Sequence, residues 1–365
     1  MPDADALFPP KPRGLKGRRA ELATLEHTIT RAMPTRLALV GPGGCGKSML
    51  ACALGHRLAP RFGGNVHWFR VGGWNFRTVS EMFALRFGTK LGDGRVPALR
   101  RFLRRGPARF IVLDNHEDDA ATARLLDTFS DAPVTFVITA RRCLLSGVLI
   151  FPVTAPLVTS GKSAFPRVAE LTRVLRFNPL ALDIADGIVG SRSTTSAGLL
   201  SALRERGIER VVPIEHEDDL PEVALLVEWA WRRLPGACRR MLAVLAHIEG
   251  DHVDRASLAT LARVSRGAEA ALDELRALRL IQEPVANRFT LHAVVRHAVK
   301  RRTQISHELV FEHYVSLLER EPERLLLEQT HLFAAMDHAS RTHNLSALLR
   351  VEELARRLDD IGDAS

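Results

Sequence analysis

The chain has 365 residues and a mass of 40.4 kDa, more than one ordinary domain of roughly 100 to 200 residues, so several domains are expected. Hydrophobic residues make up 46% and charged residues 25%, which excludes a disordered or fibrous chain, and no apolar run approaches the roughly 18 residues of a membrane span. The formal charge of +9 invites a nucleic-acid partner, yet only six of the 51 basic residues are lysines, the arginine-rich bias of a GC-rich genome, so composition weighs against that reading.

The first residues, Met1 to Gly14, hold Asp3, Asp5 and several prolines where a signal peptide would carry an apolar core, so a cytoplasmic protein is expected. Cys45, Cys52, Cys143 and Cys238 have no paired spacing and point to neither a disulfide framework nor a zinc site. A short buried strand is predicted at 35 to 40, running directly into Gly41-Pro-Gly-Gly-Cys-Gly-Lys-Ser48 and then a helix from Met49 to Leu58. Further strands are predicted at Val66 to Val71, Phe110 to Leu113, Val134 to Thr139 and Val148 to Val153, with helices between them. Apolar strands alternating with helices imply a parallel sheet covered on both faces.

Beyond about residue 160 the pattern is helical: Arg167 to Leu175, Pro179 to Val189 and Ala197 to Arg206. Pro213, Pro221 and the acidic run Glu215 to Asp219 mark a linker. Helices follow at Val223 to Arg233, Ala237 to His247, Ala256 to Val264 and Ala268 to Leu278, then a hairpin over Leu280 to Leu291 that turns near Ala286 and Asn287. Helices followed by a small hairpin imply a winged helix, and only helical patterns appear from His307 onward.

The loop Gly41 to Ser48 fits G-x-x-x-x-G-K-[ST] between a strand and a helix, the setting the motif requires. Glycines let successive backbone N–H groups converge on phosphate oxygens, and the helix that follows adds its positive end. Lys47 would contact the β- and γ-phosphates and the Ser48 hydroxyl a bridging Mg²⁺. The predicted strand Phe110 to Leu113 ends in Asp114, which would lie at the carboxyl edge of the sheet beside that magnesium. Asn115 follows where a fast hydrolase would want an acid, while Glu117 and Asp118 read as solvated loop residues. Arg141, at the end of the strand Val134 to Thr139, would either sense a terminal phosphate or serve solubility.

These features together resemble the STAND class of signal-transducing ATPases, in particular the NB-ARC modules of bacterial regulators and of plant and animal death-associated switches. The likeness runs through Gly14 to Leu22, which is similar to the motif leading the chain past adenine, and through Leu113 to Asp118 and Thr139-Ala-Arg141. It continues through Asn178-Pro-Leu-Ala-Leu182, Val227 to Pro235 and Phe289-Thr-Leu-His-Ala293. Lys16, Asn115, Leu291 and Ala293 depart from the usual residues of those motifs.

The resemblance implies an α/β P-loop NTPase domain over 14–158 behind a tail at 1–13, then a small helical domain at 159–212. A winged-helix domain at 213–303 and a helical, repeat-like segment at 304–365 would follow. It implies binding of ATP or ADP with Mg²⁺ through Gly41, Pro42, Gly43, Gly44, Cys45, Gly46, Lys47, Ser48 and Met49. Arg18, Arg141, Pro179 against the base and His292 on the β-phosphate complete the set. Asp114 and Lys47 would serve a slow hydrolysis, with Ser48 and Asp114 holding the metal. The implied function is a switch, closed with ADP and open with ATP, that controls self-assembly or a partner protein. Leu309, Val310, Leu317 and Leu318 exceed what so short a helical array buries alone, so a partner or self-association is expected there unless those helices fold back on the winged helix. Two other readings are a winged-helix DNA-binding regulator, with Ser265 to Leu278 as recognition helix, and an AAA+-like DNA-remodelling ATPase. Near-cancelling charges on that helix and Asn115 weigh against them.

Overall fold

The computed structural model describes residues 8–12, 17–89, 94–154, 168–208, 220–248, 252–347, 349–351, 353 and 354. Lys16, residues 211–219 of the linker expected from Val211 to Pro221, and residues 355–365 lie outside them; Pro221 instead opens a helix.

Helix α1 (Arg19–Arg31) precedes β1 (Arg36–Val40), α2 (Lys47–Leu58) and β2 (Val66–Arg70). Next come α3 (Phe76–Arg86), α4 (Arg95–Arg105), β3 (Arg109–His116), α5 (Asp119–Thr128), β4 (Val134–Ala140) and β5 (Leu149–Pro152). The strands form one parallel sheet in the order β2-β3-β4-β1-β5. Every residue of β4 is buried, as expected of a strand covered on both faces. Alternation divides the core: Leu37, Leu39, Phe110, Val112 and Val137 face α2, with Trp68 packed beside them, while Ala38, Phe69, Ile111, Leu113, Phe136 and Ile138 face α3 and α5.

The helical half begins with α6 (Val168–Val174), α7 (Pro179–Gly190), α8 (Ser196–Glu205), α9 (Pro221–Trp231) and α10 (Gly236–His247). It continues through β6 (Val253–Asp254), α11 (Arg255–Leu261), α12 (Ala268–Ala277), the hairpin β7 (Gln282–Val285) and β8 (Arg288–Thr290), and α13 (Ala293–Lys300). Strands β6, β8 and β7 make a small antiparallel sheet. Side-chain oxygens of Asn178, Thr195 and Asp254 cap the helices that follow them. Residues of α6 to α13 share one apolar core. Gly187 permits its tightest contact: a Cβ there would lie 2.7 Å from the Leu278 carbonyl carbon.

The last two helices, α14 (His307–Arg320) and α15 (Leu325–Arg341), pair with each other. Tyr314 and Leu317 join the core of the helical half, and Phe333 on α15 joins the sheet core beside α3. Of the two outcomes expected for these residues, folding back is the one seen: Leu317 and Leu318 are only 5% and 1% exposed, and among the four named residues Leu309 alone is exposed. The pair folds back over both halves, because α15 has an apolar side for each neighbour.

Candidate functional site

The phosphate loop leaves β1 at Val40, and the Gly41 N–H donates to the Ala140 carbonyl at the end of β4 (3.3 Å). Gly44 and Gly46 have φ values of +73° and +97°, a region where side chains are strained, so glycine is needed to turn the loop into α2. Lys47 Nζ donates to the Gly41 and Pro42 carbonyls at 2.7 and 2.8 Å, which spans the loop. Burial lowers the pKa of its ammonium, with Arg141 adding to the effect and Asp114 opposing it. Met49 is exposed and lines the cleft. Two residues of the expected nucleotide set also have buried side chains with partners within the protein. Cys45 puts its side chain in the core beneath the loop, where burial raises the thiol pKa. Arg18 is buried, and its guanidinium donates to the Cys45 carbonyl (2.5 Å), the Thr154 carbonyl (2.6 Å) and Glu21 (2.5 Å). Through the Cys45 carbonyl it ties the phosphate loop to the chain after β5.

Strand β3 runs past Asp114 to His116, two residues beyond the expected end. Its register with β4 shifts between Leu113 and His116, and Asn115 takes a left-handed φ of 58°. Such a bulge re-aims side chains at a sheet edge. Asp114 Oδ1 accepts from Ser48 Oγ (2.7 Å) and Thr139 Oγ1 (2.6 Å), and the Thr139 hydroxyl in turn accepts the Asn115 N–H (2.9 Å). Thr139 thus ties the carboxylate to the bulge, a role its place in a buried apolar strand gave no reason to assign. Asp118 caps α5, and Asp119 pairs with the buried ring of His116 (2.8 Å). Glu117 is held by the Asn115 amide (2.6 Å) at the cleft, exposed.

Two elements from the helical half close directly on the loop. A Cβ on Gly44 would lie 3.1 Å from the Leu180 Cβ and 3.2 Å from Asn178 Oδ1, and one on Gly43 would lie 2.9 Å from Val294 Cγ2. Pro179 follows the cap residue Asn178 and lines the cleft. His292 caps α13, with Nδ1 accepting the Val294 N–H (3.3 Å), which leaves Nε2 as the proton-bearing nitrogen. Burial first, and then the positive charges of Arg70, Lys47 and Arg141, push its pKa down to about 4, so the ring is neutral at pH 7.

The resulting cleft has a volume of about 1210 Å³, and Lys47, Ser48, Arg70, Asp114, Arg141, Pro179 and His292 line it together with Gln329 of α15. The Ser48 hydroxyl and Asp114 carboxylate offer the hard oxygen donors Mg²⁺ favours, and the glycine loop with Lys47 suits a phosphate chain. The donor set therefore fits a magnesium nucleotide.

Behind the far wall lies a charged network between β8 and α15. Arg288 donates to both Glu328 oxygens (2.8 and 2.7 Å) and to His252 Nδ1 (2.6 Å). Arg324 bridges Glu328 and Asp254, each at 2.8 Å. His331 contacts the His252 carbonyl (3.0 Å) and stacks on Tyr314 with centroids 4.0 Å apart. Burial first, then nearby arginines and the other ring, push His252 down to about 3; burial pushes His331 to about 4 despite Glu328 opposing it.

The parallel sheet with a glycine loop between β1 and α2, and an acid on β3 beside that loop, defines an α/β P-loop NTPase fold. Among solved structures, the chain is similar to a Signal Transduction ATPase with Numerous Domains (STAND) protein with a tetratricopeptide repeat sensor from Pyrococcus horikoshii. The TM-score is 0.59 and the identity 16%, over 98% of this chain and 55% of that one, so this chain spans just over half the length of that protein. More distant likenesses are to the Orc1 protein of Aeropyrum pernix in complex with DNA (TM-score 0.32, 18% identity, 82% and 95% covered) and to the Thermotoga maritima RuvB Holliday junction branch migration motor (TM-score 0.26, 16% identity, 80% and 96% covered). No family model and no curated protein matches the sequence. No helix among the described residues is long and apolar enough to cross a membrane.

Proposed function

We propose that the protein is an adenine-nucleotide-dependent signalling switch of the STAND, NB-ARC-like kind, closed with ADP and opened by ATP with Mg²⁺. The observation that carries this reading is the enclosure of one phosphate loop by two parts of the helical half: Gly44 against Asn178 and Leu180, and Gly43 against Val294, with His292 at the start of the same helix lining the cleft. A nucleotide in such a cleft touches every part at once, so a change at its phosphates favours one arrangement over another. When bound, magnesium and the triphosphate supply the polarised phosphoryl group. Ser48 and Asp114 would hold the metal, Thr139 orients Asp114, and Lys47 would neutralise phosphate charge.

Helices α10, α11 and α12 with the sheet β6-β8-β7 match the arrangement expected of a winged helix, and α14 with α15 would be the first pair of a sensor array. Leu309 on α14 and Leu345 and Leu349 beyond α15 are exposed, and we assign any partner or self-association surface to them. The DNA-reading alternative is less favoured. The outward face of α12 presents Glu269, Asp273 and Glu274, and Arg276 pairs with Glu269, Asp273 and Glu283. Arg279, just past the helix, pairs with Asp183 of α7 (2.9 Å). Faster hydrolysis is a second reading, favoured by Glu117 at the cleft, whereas Asn115 beside Asp114 favours slow turnover.

Calorimetry on the wild type and on Lys47→Ala tests the binding step. Loss of a charge-assisted hydrogen bond should weaken ATP about 10- to 100-fold, and equal affinities would refute the reading.

A further inference from the structure

We propose that Arg70 is a second cationic contact for the terminal phosphate of a nucleoside triphosphate, supplied from within the same chain at the edge of the sheet; the proposal rests on the nucleotide reading above. Alternation along the strands places Arg70 on the same face as Trp68 on β2, Asp114 on β3 and Thr139 on β4, the face on which α2 and the phosphate loop lie. Arg70 is the register partner of Asp114, and the next residue, Val71, donates its N–H to the Asp114 carbonyl (2.9 Å). The side chain therefore starts one strand beyond the carboxylate that meets Ser48.

Within this cleft Arg70 makes no hydrogen bond and no ion pair with any described residue. Asp114, the acid beside it, accepts from Ser48 and Thr139 through Oδ1. On the opposite wall His292 lies close enough to Arg70, Lys47 and Arg141 to feel all three charges. Lys47, Arg70 and Arg141 line the cleft together with Asp114 and Glu117, so an anion there meets three cations beside a carboxylate pair suited to a metal ion. The strand order β2-β3-β4-β1 separates the charges along it. Lys47 follows the loop after β1, while Arg70, on β2, is three strands further out, one past the strand of Asp114. A group in that position can meet only the outer end of a phosphate chain that starts at the loop. Diphosphate ends short of it, so the contact discriminates ATP from ADP, and the planar guanidinium suits two phosphate oxygens at once.

The test is isothermal calorimetry of ATP and ADP, each with Mg²⁺, on the full chain as wild type, Lys47→Ala, Arg70→Ala and Arg70→Lys. Arg70→Ala should weaken ATP about 10- to 100-fold while leaving ADP within about twofold, and Arg70→Lys should fall between, since it keeps the charge without the fork. Lys47→Ala should weaken both nucleotides. Because Arg70 has no hydrogen-bond or ion-pair partner among the described residues, its variants should melt within a few degrees of wild type; if Arg70→Ala does not fold, Arg70→Gln carries the same comparison. Wild type that binds both nucleotides, with Arg70→Ala changing neither or changing both equally, overturns this proposal alone. Wild type that binds neither overturns the nucleotide reading and this proposal with it.

Discussion

Glu328 offers the sharpest energetic test of how the last helices are held. Its side chain has no solvent exposure and receives two hydrogen bonds from Arg288 and one from Arg324. Replacing it by Ala leaves both guanidinium groups without that carboxylate. Arg324 still has Asp254 (2.8 Å) and Glu321 (3.2 Å), so its loss is partial. Arg288, whose side chain is 7% exposed, keeps only neutral partners, the His252 ring and carbonyl. An uncompensated buried charge of this kind costs about 3 to 5 kcal/mol, and that is the loss expected for Glu328→Ala. Arg288→Met should cost less, about 1 to 3 kcal/mol, because Glu328 retains Arg324. The double variant Arg288→Met with Glu328→Leu should be more stable than Glu328→Ala, since no charge is stranded and apolar volume replaces the pair. Urea denaturation followed by circular dichroism and tryptophan fluorescence measures all three, and Glu328→Leu alone completes the double-mutant cycle. A loss below about 1 kcal/mol for Glu328→Ala, or strict additivity of the two sites, would refute the account of the network.

Further outcomes are expected. Folded His252 and His331 titrate near 3 and 4, below the roughly 6.5 of an unfolded histidine, so the unfolded chain binds more protons. Their contribution is complete above about pH 6.5 and falls away as pH drops toward 4; melting temperatures should decline across that window, and His331→Asn should flatten the decline. Gly187→Ala would normally stabilise a helix by about 1 kcal/mol, but the new Cβ would meet the Leu278 backbone at 2.7 Å, and a net loss of about 1 to 3 kcal/mol should appear in melting. For His292→Ala, ADP affinity should drop about fivefold or more and light scattering with ADP should show greater association than wild type; identical mass and affinity would count against the latch.

The sequence made the phosphate loop, the strand that carries Asp114 and the hairpin legible because each has a local signature: a fixed spacing, a buried run, a turn between two short strands. What it hid depends on partners far along the chain. β6 is two residues long and cannot show a period, although Val253 is buried and pairs with Phe289. Arg288 and Glu328 carry no local signature because their pairing spans 40 residues. The carbonyls that hold Arg18 belong to Cys45 and Thr154, far along the chain from it. Arg70 comes beside Asp114 only through the sheet order. Helix α13 was overlooked since its eight residues follow directly on the hairpin.

The contact of Val294 and Leu180 with the loop glycines also has a consequence during synthesis. The sheet is complete once Pro152 has emerged, whereas Val294 follows 142 residues later. At roughly 5 to 20 residues per second, the nascent chain carries an uncovered phosphate loop for about 7 to 30 seconds. On the nucleotide reading proposed above, a ligand could settle on the loop in that interval and the later helices would dock over it, so that the first nucleotide is acquired during synthesis and not by exchange.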